Sequence, residues 1–349
     1  MEEVCILSHH GDVHAEAVAW GLRKLGQDVL IIDSERIFDK HRFAVLHAVQ
    51  QPSDLIVDGR YVSQRAAVWM HKPFSARLGG FDAIHESDLA YSRRICRRFS
   101  MEVVSALASR SFCVDRPGNA LRAELPSVQI RLAAETGLET PKTLLSNDSD
   151  LVAQYVKTSK CKTCALAYLP SGDGDSTKDG TGFPQQIAQS EVSLAMIGKG
   201  PVDLRELVPA DEKITAICIG RNVYALGSGL LHQDAAGISA DRNVYRQRLP
   251  EHIVAAILKL MQGVGLRHGA IELARQGMRY HFVKLEPGSS WLSLCDDNEL
   301  PLLDCFVKYL AEKREDYLHD GVMDVGLSDY CREKAAVALD VSVPAESVA

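Results

Sequence analysis

Residues 269–287 constrain this chain more tightly than any other stretch of similar length. Gly269-Ala270-Ile271-Glu272-Leu273-Ala274 and Tyr280-His281-Phe282-Val283-Lys284-Leu285-Glu286-Pro287 are two apolar, strand-forming runs on either side of a short polar turn. That pattern predicts an antiparallel hairpin, because a few polar residues with a glycine can join two adjacent strands. Each run delivers a carboxylate at its working end, Glu272 on the first and Glu286 on the second. Two carboxylates brought to a common point can hold a divalent cation beside a polyphosphate, since hard cations prefer oxygen ligands. Glu272 and Glu286 are therefore the expected metal ligands.

The rest of the chain must build the walls of such a site. At 349 residues it exceeds one typical domain, so two or three units around separable cores are expected. An apolar fraction of 46% with 24% charged residues is that of an ordinary soluble globular protein. The net charge of −7, without a block of like charge, argues against nucleic acid as a partner. Arg93, Arg94, Arg97 and Arg98 form one basic cluster, which at helical spacing covers one side of a helix and is expected to be a solvated face. Met1-Glu2-Glu3-Val4 has no basic region followed by a long apolar run, and nothing approaches the ~20 apolar residues of a membrane span. The nine cysteines are an odd number in apolar contexts such as Cys5 and Cys218, which suits reduced thiols. A cytoplasmic protein without membrane contact is expected.

Val4-Cys5-Ile6-Leu7 predicts a buried strand, 15–25 an amphipathic helix stopped at Gly26, and 28–33 a second strand. Strand, helix and strand at this spacing make a βαβ unit with a parallel sheet. Weaker strand patterns follow at 55–57, 61–62 and 66–69, then a long helix over 88–107 and a last strand at 112–114. Arg116-Pro117-Gly118-Asn119 marks the exit from this unit. A second unit opens with a helix over 127–136 and continues with one over 148–157, for which Ser146-Asn147-Asp148 is a natural capping segment. A strand over 164–169 precedes 171–182, a turn-rich loop without an apolar residue. From Leu204 the pattern turns to β, with strands at 204–208, 214–219 and 223–226. Helices over 251–264 and 301–314 flank the hairpin, and the end of the tail beyond Tyr317 is expected to fray.

Four further groupings carry candidate chemistry. His9-His10-Gly11-Asp12-Val13-His14 follows the first strand with the residue types of a metal site, but no matched second cluster accompanies it. The preferred alternative has Asp12 capping the next helix while the histidines line a loop at the sheet edge. Cys161-Lys162-Thr163-Cys164 lacks a partner pair for zinc, and it enters a strand where a redox pair would open a helix, so a structural role is preferred. Residues 171–182 can fold backbone N–H groups over phosphates, yet they match no phosphate-loop pattern and suit a hairpin tip equally well. Glu206, in Arg205-Glu206-Leu207-Val208-Pro209, lies where a strand leaves the second unit for the third. A linker there is a natural floor for an adenine; the competing reading is a solvated strand-edge glutamate.

Taken in order, these segments resemble the ATP-grasp superfamily, and within it the peptide ligases that make graspetides (microviridin-type macrocycles). The resemblance covers about residues 2–312. Asp12-Val13-His14-Ala15-Glu16-Ala17-Val18 resembles that branch's N-terminal signature, and Val68-Trp69-Met70-His71-Lys72-Pro73 its tryptophan followed by two basic residues and proline. Arg122-Ala123, Gln129, Ala133, Gly137-Leu138, Pro141, Thr143 and Asn147-Asp148 match the start of its central domain. Gly269-Ala270-Ile271-Glu272 and Pro287 match its metal hairpin. The departures fall at the chemistry. Pro126 stands in place of a lysine that reaches toward the nucleotide, and 164–170 contain no second phosphate lysine, for which Lys160 or Lys162 would substitute only by a register shift. Lys213 and Thr215 replace an Asp-x-Arg pair, Glu272 replaces an aspartate, and Lys284 with Glu286 replaces a Glu-x-Asn pair. One missing pre-organised charge stabiliser typically costs about 10²–10³ in rate, and several together are severe though not additive.

The resemblance implies an α/β protein with an N-terminal βαβ pre-ATP-grasp domain over 1–118 and a two-lobed α+β ATP-grasp body. The central lobe would span 119–203, the C-terminal lobe 204–318, and a tail 319–349. It implies ATP and Mg²⁺ as cofactors, Glu206 and Leu207 on the nucleotide side, Glu272 and Glu286 at the metal, and Lys284 as the altered position. The implied reaction activates a carboxylate as acyl phosphate for attack by an amine or hydroxyl, on a small precursor peptide or protein. The alternative is a catalytically degenerate relative that binds peptide or nucleotide, or serves an active partner ligase as a regulatory subunit; a homodimer suits both. Lys284 would then pair with Glu272 or Glu286 and occupy the metal's place.

Overall fold

The computed structural model describes residues 3–47, 53–73, 84–158, 163–166, 185–188, 201–206, 208, 210–229, 244–295, 297 and 300–341. The chain opens as β1 (Glu3–Ser8), α1 (Val13–Lys24), β2 (Asp28–Asp33), α2 (Ile37–Lys40), β3 (Phe43–Leu46), β4 (Asp54–Val57), β5 (Arg60–Val62), β6 (Ala67–Met70), α3 (Glu86–Ala108) and β7 (Phe112–Val114). Four of these strands form a parallel sheet in the order β2-β1-β6-β7. All six residues of β1 are buried, as a strand covered on both faces requires. Cys5, Leu7, Val68 and Met70 pack on one side with Val103 and Leu107 of α3. Val4, Ile6, Ala67 and Trp69 pack on the other with Ala15, Val18 and Leu22 of α1. The predicted βαβ unit is therefore present, with β3–β5 as a small antiparallel sheet beside it.

Next come α4 (Pro117–Ala123), α5 (Pro126–Glu135), β8 (Thr143–Ser146), α6 (Ser149–Thr158), β9 (Thr163–Leu166), β10 (Gln185–Ala188) and β11 (Val202–Glu206). Their sheet runs β10-β9-β11-β8, antiparallel. Pro117 and Pro126 each sit in the first turn of a helix, where a missing N–H costs nothing. Pro117 thus opens α4 where the sequence pattern suggested only an exit loop. Asp148 accepts from the N–H groups of Asp150 and Leu151 and caps α6 as expected. The 171–182 loop, Cys161, Lys160, Lys162 and Leu207 lie outside the described residues.

The remainder is β12 (Glu212–Ile219), β13 (Asn222–Gly229), β14 (Val244–Gln247), α7 (Glu251–Val264), β15 (His268–Gln276), β16 (Arg279–Pro287), α8 (Leu302–Glu312) and α9 (Leu327–Val341). The five strands form an antiparallel sheet in the order β14-β13-β12-β15-β16. Alternation along its strands splits the packing. Ile214, Ala216, Cys218, Ile271 and Leu273 face a core with α7 and α5, whereas Ile217, Ile219 and Ala270 join the core that also holds β1, β6 and α8. One apolar core thus welds the first sheet to the last. Within the expected tail, α9 lies on α1: Tyr330 is buried, and Trp20 Nε1 donates to Glu333 Oε2 at 2.8 Å. No helix among the described residues is long and apolar enough to cross a membrane.

Candidate functional site

The predicted hairpin is β15–β16, closed by Gly277 and Met278, with Gly277 at a φ of 59°. Register places Thr215 of β12 opposite Glu272 and Glu272 opposite Lys284, so the three form one row across adjacent strands. Glu286 lies two residues along from Lys284 on the same strand and shares its face. The register shifts after Glu272, which leaves Val283 as an extra residue whose carbonyl accepts from Arg205 Nη1 at 2.5 Å. Arg205 is itself held by Asp203 at 2.9 Å, so the end of β11 is fastened to the hairpin. In the sequence this arginine is marked by its place beside Glu206 at the same strand end.

Lys284 Nζ stands 3.0 Å from Glu286 Oε1 and 3.7 Å from Glu272 Oε1. The first contact is a hydrogen-bonded ion pair; the second is too long for a hydrogen bond. Glu272 is buried and its Oε2 has no hydrogen-bond partner. Burial pushes its carboxyl up to about 7 despite the nearby lysine. Mg²⁺ needs oxygen ligands at about 2.0–2.1 Å in an octahedral shell. Here the expected ligands already share an ammonium. Two unit charges about 4 Å apart at an effective dielectric near 20 interact by about 4 kcal/mol, and a divalent ion doubles that repulsion. Among the described residues, those of the hairpin do not fit Mg²⁺.

Glu206 ends β11, half-buried, with its N–H donating to Lys142 O at 2.9 Å. It sits at the exit toward β12 that the sequence pattern indicated.

A second polar cluster gathers at the carboxyl ends of β1 and β6, where strand order reverses and α/β sheets open a crevice. Asp12 Oδ1 accepts from the N–H groups of His14 (2.9 Å) and Ala15 (3.2 Å), capping α1. Its Oδ2 accepts from Ser8 Oγ (2.9 Å) and Lys72 Nζ (2.7 Å) and lies 3.3 Å from His71 Nε2. Burial acts to raise this carboxyl, but His71, Lys72 and Ser8 outweigh it and hold Asp12 far below the usual carboxylate range. Asp12, His14 and His71 offer donor atoms within 4.8 Å of one another, close enough to suggest a metal. Two facts oppose that. His14 Nε2 already accepts from the N–H groups of Leu292 (2.9 Å) and Trp291 (3.3 Å), so its proton sits on Nδ1 and no lone pair is spare. Lys72 holds the Asp12 oxygen a metal would need. The cluster is a cap and ion-pair clamp, with His14 buried under Trp291 rather than lining a loop. His14 is pushed down to about 4 by burial and by His71.

Between this clamp and the head of the hairpin lies a cavity of about 160 Å³ lined by Trp69, His71, Asp115, Leu121, His268 and Pro287. His268 is pushed down to about 3, chiefly by burial, and its Nε2 accepts from Trp291 Nε1 at 2.7 Å. Asp115 is pushed up to about 7 by burial, against the N–H groups of Arg267 and His268.

No protein-family model matches the chain, and no curated protein does. Solved structures do. The macrocyclase MdnC of Microcystis aeruginosa MRC, bound with precursor peptide MdnA, is 18% identical with a TM-score of 0.71, over 89% of this chain and 99% of its own. A RiPP-associated ATP-grasp ligase of Chryseobacterium gregarium, in complex with ADP and a leader and core peptide, is 15% identical with a TM-score of 0.73, over 91% and 99%. The ATP-grasp ligase PsnB, complexed with minimal precursor, Mg and ADP, is 17% identical with a TM-score of 0.67, over 89% and 96%. Such agreement along nearly the whole of each chain means that this protein has the ATP-grasp fold.

Proposed function

We propose that this ATP-grasp-fold chain recognises a small precursor peptide or protein and has given up metal-dependent acyl-phosphate formation at its hairpin. The observation that carries the proposal is the Lys284 ammonium shared between Glu286 at 3.0 Å and Glu272 at 3.7 Å. In ligation a substrate carboxylate oxygen attacks the terminal phosphorus of ATP, ADP leaves, and an amine or hydroxyl then displaces phosphate from the acyl phosphate. Both steps gather negative charge that the site must neutralise. The row Thr215–Glu272–Lys284 offers one cation, and Glu286 cancels it. Peptide recognition is supported by MdnC, the C. gregarium ligase and PsnB, each solved with a peptide on this fold.

In this reading, units 1–118, 119–203 and 204–318 are the N-terminal domain and two lobes, and 319–349 the tail. The chemistry would come from an active partner ligase, with this chain as the recognising subunit of a cytoplasmic complex or as a homodimer beside it. ATP, where bound, would lay its adenine against Glu206 and Leu207.

A second reading, an active ligase with a rebuilt site, rests on Lys213, two residues from Thr215 on β12, whose charge reaches Glu272. Two lysines would then stand in for the metal. Calorimetric titration with a non-hydrolysable ATP analogue, with and without Mg²⁺, separates these readings. Weak or absent binding indifferent to Mg²⁺ is the expected result. Tight, Mg²⁺-dependent binding would overturn the proposal, and tight binding without Mg²⁺ would favour the rebuilt site.

A further inference from the structure

We propose that the outward face of α3 is a docking surface for an acidic, partly apolar peptide segment of a partner protein. This surface lies on the N-terminal unit and is independent of the hairpin's chemistry. The helix runs for 23 residues, yet its buried residues are Ser100, Val103, Val104, Ala106 and Leu107, all in its second half. At about 100° per residue those side chains hold one flank of the helix. Around the opposite flank follow Arg97, Met101, Arg94, Arg98, Tyr91 and Ile95, all exposed.

The composition of that arc differs from an ordinary solvated face, which the run of arginines by itself suggested. Solvated helix faces interleave lysine and glutamate at i,i+4. Here no lysine occurs between Glu86 and Ala108, and the arginines are mixed with large apolar groups. Tyr91 is 60% exposed, Met101 56% and Ile95 46%. The Arg94 guanidinium lies 5.6 Å over the Tyr91 ring, a contact that pre-orients both groups. Arginine, tyrosine and methionine are the side chains enriched where proteins bury surface against one another, and lysine and the acids are depleted there.

Charge selects the occupant. A chain of net −7 places Arg94, Arg97 and Arg98 on this arc, with Arg93 nearby on the same helix, against Glu102 on the arc and Glu86 and Asp88 in the first turn. The complementary ligand is a segment rich in Asp or Glu, with apolar side chains to cover Tyr91, Ile95 and Met101. Such pairing raises the encounter rate and is weakened by salt.

The test is fluorescence anisotropy of the full chain with a labelled Glu/Leu-rich peptide, across ionic strength, with a Lys/Leu-rich peptide as control. The acidic peptide should bind and the basic one should not. Arg94→Glu with Arg98→Glu should weaken binding by about tenfold or more, and Tyr91→Ala by less, with unchanged circular dichroism. The proposal is overturned if the acidic peptide does not bind, or if the double variant binds it equally well. Equal affinity for a single-stranded oligonucleotide would also overturn it, in favour of a general polyanion site. So would a dimer, seen by sedimentation, that the double variant abolishes without any peptide binding, in favour of contact between two copies.

Discussion

Asp12 and Glu272 are both buried carboxylates beside a lysine, one at the carboxyl end of the first sheet and one in the last, yet their surroundings drive them in opposite directions. Burial raises both. Asp12 answers it with two backbone N–H groups, the Ser8 hydroxyl and an ammonium at 2.7 Å, and stays ionised. Glu272 has its lysine at 3.7 Å, shared with Glu286, and an Oε2 with no partner. A neighbouring cation does not by itself settle the state of a buried acid; the number and aim of its hydrogen bonds do. Asp12 is finished structure, whereas Glu272 is an acid whose compensating partner is missing. Local conflicts of that kind collect at functional sites.

The comparison breaks most visibly at Asp12. Asp12→Ala removes the α1 cap and leaves His71 and Lys72 facing an empty position, and should cost about 3 kcal/mol or more in chemical denaturation. A loss below ~1 kcal/mol would mean that the clamp is not holding the ends of β1 and β6 together.

Glu272 should show the reverse. Its folded pKa of about 7 lies above the ordinary 4.5, so between those pH values the folded chain binds more protons than the unfolded one. The stabilisation tied to that proton is therefore present below pH 4.5 and lost as pH rises through 7, by about 3 kcal/mol at most. Buried neutral His14 and His268 act the other way, adding stability as pH rises toward 6.5. Comparing the chain with Glu272→Gln isolates the acid: the variant should be as stable or more stable at pH 8, and the difference should vanish near pH 4. A variant less stable at pH 8 would show that the ionised carboxylate is satisfied after all.

The smallest effect sharpens the contrast at the lysine. Lys284→Glu places a carboxylate between Glu272 and Glu286, and should cost about 1 kcal/mol in the presence of a chelator. Mn²⁺ should restore that loss in the variant and leave the parent unchanged, because an ion that binds only the folded state stabilises it. Equal Mn²⁺ stabilisation of both proteins would show that Lys284 does not occupy the ion's place.

Much of the fold was legible because its signals are local. The apolar run of β1, the period of α1 and α7, and the caps Asp12 and Asp148 are written within a few residues of where they act. The short elements were less so: α2, β3, β8, β10 and β14 have four residues each, too few for a period to show. At α4 a Pro-Gly pair that usually marks a turn instead starts a helix.

Sequence alone determined that a hairpin would carry Glu272, Lys284 and Glu286, and that the chain would begin as a βαβ unit. Only tertiary structure decided that Thr215 joins Glu272 and Lys284 in one row, that Arg205 takes the freed Val283 carbonyl, and that His71 and Trp291 close over Asp12 and His14. Those contacts join residues dozens to hundreds of positions apart. Periodicity tells a strand which face to bury, but its partner and register are chosen by packing across the whole core.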